Sequence, residues 1–159
     1  MDLSIIAVGR IKPGPDRTLL DRYVERTTAQ GRAAAIGPIA IVELAEAQKS
    51  DAASRKSDEA DRLLARAGDA PLIALDERGR TMTSRAFADV LARQRDDGTR
   101  ALAFILGGPD GLDPRVRKAA AATISFGQMT LPHGLARIVL AEQIYRATTI
   151  LTGHPYHRD

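Results

Sequence analysis

The sequence predicts an α/β fold, a mostly parallel sheet flanked by helices, and three observations carry that expectation. Five short apolar runs rich in β-branched residues recur along the chain. Segments whose apolar residues follow helical spacing separate them. Several of the runs are continuous rather than alternating, which is the pattern of strands covered on both faces.

Taken in order, the strands are expected at Leu3 to Val8, Pro38 to Leu44, Pro71 to Leu75, Ala101 to Leu106 and Thr123 to Phe126. Between them the spacing predicts helices over Asp16 to Gln30, Lys49 to Ala67, Ser84 to Asp96 and Asp113 to Ala122. The stretch from Glu46 to Ala67 is the most polar of the chain, yet Leu63 and Leu64 give its end something to dock, so it reads as a solvated helix and not as a linker. No internal repeat and no low-complexity tract interrupts the pattern. The 159 residues are expected to form one domain, 1–159, long enough to bury roughly two-thirds of the unfolded surface.

A long terminal helix closes the chain. Thr130 is a plausible N-cap, Pro132 falls where a first-turn proline loses no backbone bond, and Gly153 followed by Pro155 supplies the stop. From Leu135 to Leu151 apolar residues cover nearly the whole circumference, so the helix should be buried all round. Glu142 and Arg146, four apart, share one face of it and should sit against protein, as an internal ion pair, in a subunit interface or beside a ligand.

Composition narrows the function classes. Without cysteine there is no disulfide framework, no thiolate metal site and no cysteine nucleophile. The start, Met1 to Gly9, has neither a basic leader nor an apolar run long enough for a signal or a span, which makes the cytoplasm the default location and a membrane role unexpected. The formal net charge of +3 is mild. It is concentrated, however: Gly111 to Asp159 holds six Arg/Lys against three carboxylates, a balance that permits a polyanionic partner.

Two glycine-bearing segments follow strand ends, where open α/β sheets bind ligands. They are Leu75-Asp76-Glu77-Arg78-Gly79 and Leu106-Gly107-Gly108-Pro109-Asp110-Gly111-Leu112. Both read as turns, the second as a shallow cradle in which glycine lets backbone approach a ligand. Neither matches the dinucleotide fingerprint or a P-loop, so dinucleotides and nucleoside triphosphates are not favoured.

These segments, together with Met129-Thr130-Leu131-Pro132-His133, Arg137, Glu142-Gln143-x-Tyr145-Arg146-Ala147 and the terminal Pro155-Tyr156-His157-Arg158, resemble the small RlmH-type methyltransferases of the SPOUT class. The resemblance runs the length of the chain. It implies a C-terminal trefoil knot, homodimerisation through the terminal helix, and methylation of N3 of a pseudouridine in 23S ribosomal RNA on the assembled ribosome, with no DNA partner and no metal. The methyl donor, S-adenosyl-L-methionine, is then expected against Leu75, Gly107, Gly108 and the backbone of Phe126, Gly127, Gln128, Met129, Thr130 and Leu131. One departure stands out: the family's second serine in a Ser-x-Ser pair is Gly127 here.

Transfer to an imide nitrogen requires loss of a proton to a base within about 3 Å, directly or through one water. His133 and His157 are candidates, and Tyr156 would serve only with a lowered pKa. Arg137, Arg158 and Arg10 suit phosphate contacts, because a guanidinium grips two oxygens at once. The tail is expected to lie outside the core. A non-catalytic ribosome-binding factor of the same fold, and a different small-molecule enzyme using the same cradle, are the rival classes.

Overall fold

The computed structural model describes residues 1–157. Its element order is β1 (Asp2–Val8), α1 (Pro15–Ala34), β2 (Ile39–Leu44), α2 (Ala52–Ala67), β3 (Leu72–Arg80), α3 (Ser84–Asp96), β4 (Ala101–Leu106), α4 (Pro114–Ala119), β5 (Ala122–Ile124) and α5 (His133–Leu151). The strands form one five-stranded sheet in the order β2-β1-β4-β3-β5, every neighbouring pair parallel. Parallel strands need crossovers, and the helices supply them.

Side chains alternate across each strand, so a continuous apolar run feeds two cores. Leu3, Ile5 and Ala7 of β1 join the core made with α1, α3 and α5, whereas Ile6 and Val8 join the one made with α2 and α4. The continuous runs thus mark strands covered on both faces, as expected from the sequence.

Several boundaries differ from the sequence reading: α4 stops at Ala119 and β5 runs from Ala122 to Ile124, and three further differences have a local cause. The α1 helix passes through Gly31 and ends four residues later than expected, because a side chain at Gly31 would lie 2.0 Å from the Ile36 carbonyl oxygen and only glycine lets the returning chain pack there. The α2 helix starts at Ala52, since the Asp51 carboxylate accepts a hydrogen bond from the Ser54 backbone and caps it. The third difference shapes the site. Residues 76–79 are not a strand-to-helix turn: β3 continues through them to Arg80, with a register shift against β5 between Leu75 and Arg80. At Gly79 an added Cβ would stand 2.4 Å from backbone of Ile124, so glycine here permits strand against strand.

The α5 helix begins at His133, one residue after Pro132, which occupies the cap position without a side-chain cap bond. Thr130 therefore does not cap it. Most of the helix is buried against α1 and α3. One stripe is not, since Leu135 is 44% exposed and Val139, Glu142, Arg146 and Ile150 are partly exposed in the same line. The expectation of burial on every face fails within one copy of the chain.

Candidate active site

At the carboxyl ends of β3, β4 and β5 lies a cavity of about 700 Å³. Three segments wall it: Leu75 to Arg78, Leu106 to Leu112, and Ile124 onward to His133 at the start of α5. Each arrives there for a local reason. Residues 76–79 arch away from the sheet before β3 rejoins β5, where the Ser125 backbone N–H donates to the Arg80 carbonyl at 3.1 Å. The Asp76 carboxylate steadies the arch, accepting from the Arg78 backbone at 3.0 Å and from the Arg117 guanidinium at 3.0 Å.

The 107–112 segment folds on itself through an antiparallel bridge between Gly108 and Gly111. At two of its glycines the missing side chain also makes room for protein. A Cβ on Gly107 would meet the Gly111 carbonyl carbon at 2.8 Å, and one on Gly108 would meet Val8 Cγ1 at 3.0 Å and Glu59 Oε2 at 3.2 Å. The missing side chains make room for protein, which lets the loop lie flat over the end of β1.

In the third wall, Ser125 Oγ donates to the Gly127 carbonyl at 3.0 Å and accepts from the Gly127 N–H at 3.1 Å. Gly127 itself has φ of 123°, which an L side chain rarely adopts. The glycine that departs from the family pattern is thus built into this turn. Phe126, Met129 and Leu131 leave large apolar surfaces exposed around it, Met129 at 86%.

Of the nine residues expected to hold the donor, Leu75, Gly107, Gly108, Phe126, Gly127, Met129, Thr130 and Leu131 all line the cavity. Gln128 is exposed and stands outside the wall. His133 lines the cavity as well. Sequence reasoning did not single out Asp76 with Arg117, nor Lys56 and Asp110, which also line it. Asp76 and Arg117 are 41 positions apart, and no local pattern joins them.

The remaining candidates lie elsewhere. Arg137 is fully buried: its Nη1 donates to Glu43 at 2.9 Å and its Nη2 to the Val8 carbonyl at 2.7 Å. Burial lowers its pKa despite the Glu43 carboxylate. That placement corrects its reading as a phosphate contact, because both terminal nitrogens are engaged inside the protein. The exposed Arg10, next to Gly9 and hence near both His133 and Arg137, remains outward-facing.

Tyr156 is folded back on α5. Its ring stands 4.7 Å from that of Tyr145, the Arg146 guanidinium covers it at 4.9 Å, and its hydroxyl donates to Glu142 at 3.0 Å. Burial raises its pKa, with hydrogen bonding to Tyr23 and the Glu142 charge adding to the effect. Tyr156 is therefore no base near neutral pH, and the tail's first residue belongs to a packed cluster. The Glu142–Arg146 pair, at 2.7 Å, anchors that cluster. His157 follows with its backbone N–H 3.4 Å from the His154 carbonyl. Arg158 lies outside the described residues.

A family model described as "Predicted SPOUT methyltransferase" matches residues 1–157. The chain belongs to the SPOUT methyltransferase family. Proteins named "Ribosomal RNA large subunit methyltransferase H" are similar to it over the full length of both chains. That of Phenylobacterium zucineum is 49% identical over 100% of each chain. The one from Brucella anthropi is 47% identical over 100% of each, and that from Xanthobacter autotrophicus is 51% identical over 99% of each. The lining of the cavity mixes apolar side chains, among them Leu75, Leu106, Leu112 and Ile124, with the charged Lys56, Asp76, Asp110 and Arg117.

Among the described residues no group of three or more metal-ligating side chains occurs, and no helix is long and apolar enough to cross a membrane.

Proposed function

We propose that this SPOUT methyltransferase transfers a methyl group from S-adenosylmethionine to N3 of a pseudouridine in 23S ribosomal RNA of the assembled ribosome, acting as a cytoplasmic homodimer. The observation that carries the reading is the convergence of eight expected donor-binding residues and His133 on one cavity. Its volume falls within the roughly 300–1,000 Å³ of ordinary ligand sites. Leu75, Leu106, Ile124 and Phe126 suit the faces of an adenine ring, and the backbone of 107–108 and 126–131 offers polar groups for its edges. When bound, S-adenosylmethionine supplies an activated methyl group, so the chain's task is to orient, to exclude water and to accept a proton. In this reading His133, which lines the cavity, is that acceptor. Arg10 takes phosphate contacts, as does Arg158 in the tail. The reading carries with it one domain and the family's trefoil knot.

A second copy of the chain completes the site. His133 opens α5, whereas the tail leaves its far end and folds Tyr156 back onto Glu142 and Tyr145, roughly 14–18 Å along the helix from His133. Neither Tyr156 nor His157 lines the cavity of its own protomer. Two α5 helices packed antiparallel on the open Leu135, Val139, Ile150 stripe would set each tail beside the partner's cavity and cover the exposed leucine.

Isothermal titration with S-adenosylmethionine tests the donor, and a mass-spectrometric map of ribosomal RNA from a strain lacking the protein tests the acceptor. Donor binding and one missing methyl on pseudouridine are expected. A protein that binds ribosomes but no donor would instead be the non-catalytic factor, and one that binds neither would be a different enzyme.

A further inference from the structure

The 107–112 loop walls the cavity and is closed on itself by the Gly108–Gly111 bridge, with the Gly111 N–H donating to the Gly108 carbonyl at 3.0 Å. Gly111 adopts φ of 80°. A segment with three glycines in six positions has many other conformations open to it. It is held from outside at two places: Arg117 of α4 donates to the Leu112 carbonyl at 2.8 Å, and α2 grips the loop at Asp110.

The Arg55 guanidinium meets Asp110 in a two-pronged contact, Nε to Oδ2 at 2.7 Å and Nη2 to Oδ1 at 3.1 Å. Its remaining nitrogen, Nη1, donates to the carbonyls of Lys49 at 3.0 Å and Ser50 at 3.3 Å. One side chain thus joins three segments: the loop before α2, α2 itself and the cavity wall. Planar geometry makes such a contact directional as well as attractive. One helical turn on, Glu59 is 3% exposed, accepts from the Ala47 N–H at 3.0 Å, and places Oε2 3.2 Å from where a Gly108 side chain would begin. Arg55 and Glu59 are i and i+4 on one face of α2. They bracket the loop, one gripping Asp110 and the other setting the floor under Gly108. Asp110 lines the cavity and Arg55 does not.

We infer that Arg55 is a positioning residue for methyl-donor binding, acting through Asp110 to hold the 107–112 loop in the conformation that forms the cavity wall. This rests on the donor site proposed above. It differs from a direct role for Asp110, in which the carboxylate would touch the ligand and Arg55 would be dispensable.

The two roles separate in a double-mutant cycle. Arg55→Ala, Asp110→Ala and the double variant are titrated with S-adenosylmethionine in the full-length protein. Hydrogen exchange of the 107–112 amides is measured without ligand. A clamp predicts that all three variants weaken donor binding equally, by about twofold to fivefold for a well-aligned, partly exposed pair. It also predicts that all three exchange the loop amides faster while melting near the parent temperature. Arg55→Lys keeps the charge and the stem but not the two-pronged geometry, and should fall between parent and Arg55→Ala. Should Arg55→Ala fail to fold, the lysine variant set against Asp110→Ala decides the same question. Loss in Asp110→Ala with parent affinity in Arg55→Ala overturns the inference in favour of direct contact. So does additive loss in the double variant, or unchanged loop exchange. If the parent protein itself binds no donor, the proposed donor site fails first, while accelerated loop exchange in the variants would still reveal the clamp as purely structural.

Discussion

Arg137 heads the fully buried side chains by volume, and its charge is held between Glu43 and the end of β1. Glu43 is shared, since Arg17 reaches its Oε2 at 2.6 Å and the Ile11 N–H donates at 2.9 Å to Oε1, the oxygen that Arg137 also holds. Removing Arg137 leaves Glu43 one cation but leaves the Val8 carbonyl without its donor. Arg137→Met should therefore destabilise the protein by about 2–4 kcal/mol, toward the lower part of the range for broken buried pairs. Denaturant melts will measure that. The salt dependence of ribosome binding should not change in this variant, whereas Arg10→Ala should flatten it by just under one unit of log–log slope if Arg10 neutralises one phosphate. An Arg137 variant that melts normally but flattens the salt slope would restore it as a phosphate contact. Tyr156 allows a test by pH. Its folded pKa is raised above the ordinary 10.0, so the stability it contributes is whole below that value and is lost as pH climbs through the higher one. All three tyrosines of the chain gather here, Tyr23 lying 6.2 Å from Tyr145. Spectroscopic titration should show one phenol ionising last, and Tyr156→Phe should remove that late step.

At the scale of elements, α5 decides how much of the protein faces water. Its open stripe runs from Leu135 near the cavity to Ile150 near the tail, with the Glu142–Arg146 pair in the middle. Leu135→Glu puts a charge into the proposed dimer contact but not into the core, so the variant should sediment as a monomer, keep its far-ultraviolet spectrum and lose methyl transfer. A dimer with parent activity would remove the stripe from the interface. The same helix marks where the sequence is legible and where it is not. Its existence and end were readable from periodicity and from Gly153 with Pro155, but its start was not, because Pro132 takes the cap position and Thr130 is left to line the cavity. The arch at 76–79 reads as a turn because Asp, Glu, Arg and Gly are turn-like. Only pairing with β5, supplied from about fifty residues away, makes it strand. Eight of the nine residues expected at the donor site line the cavity, and motif resemblance is what made them legible. Contacts such as Arg137 with Glu43 or Arg55 with Asp110 join distant parts of the chain, and no local pattern encodes them.

At the scale of the whole molecule, the distribution of candidate groups makes a statement that no single residue can. The cavity and His133 stand at the start of α5, and the tail, with Tyr156 packed back on the middle of the helix, lines no part of that cavity, so the proposed dimer should be a pair of composite sites and not two self-sufficient ones. Two defective chains can then repair one another. Let one chain carry His133→Ala and the other end at Tyr156, which removes the last residues but keeps the tyrosine packed on Tyr145. Each homodimer should bind S-adenosylmethionine, melt near the parent temperature and transfer no methyl group. In the mixed dimer one site pairs the damaged cavity with the shortened tail and is doubly defective, but the other pairs an intact cavity with an intact tail. Co-expressed with different affinity tags and purified through both, the heterodimer should recover close to half the parent rate on ribosomes. Sites built within one chain would give no recovery, since every chain in the mixture carries a lesion. Activity in the homodimer lacking the tail end would show instead that the cavity and His133 suffice without it.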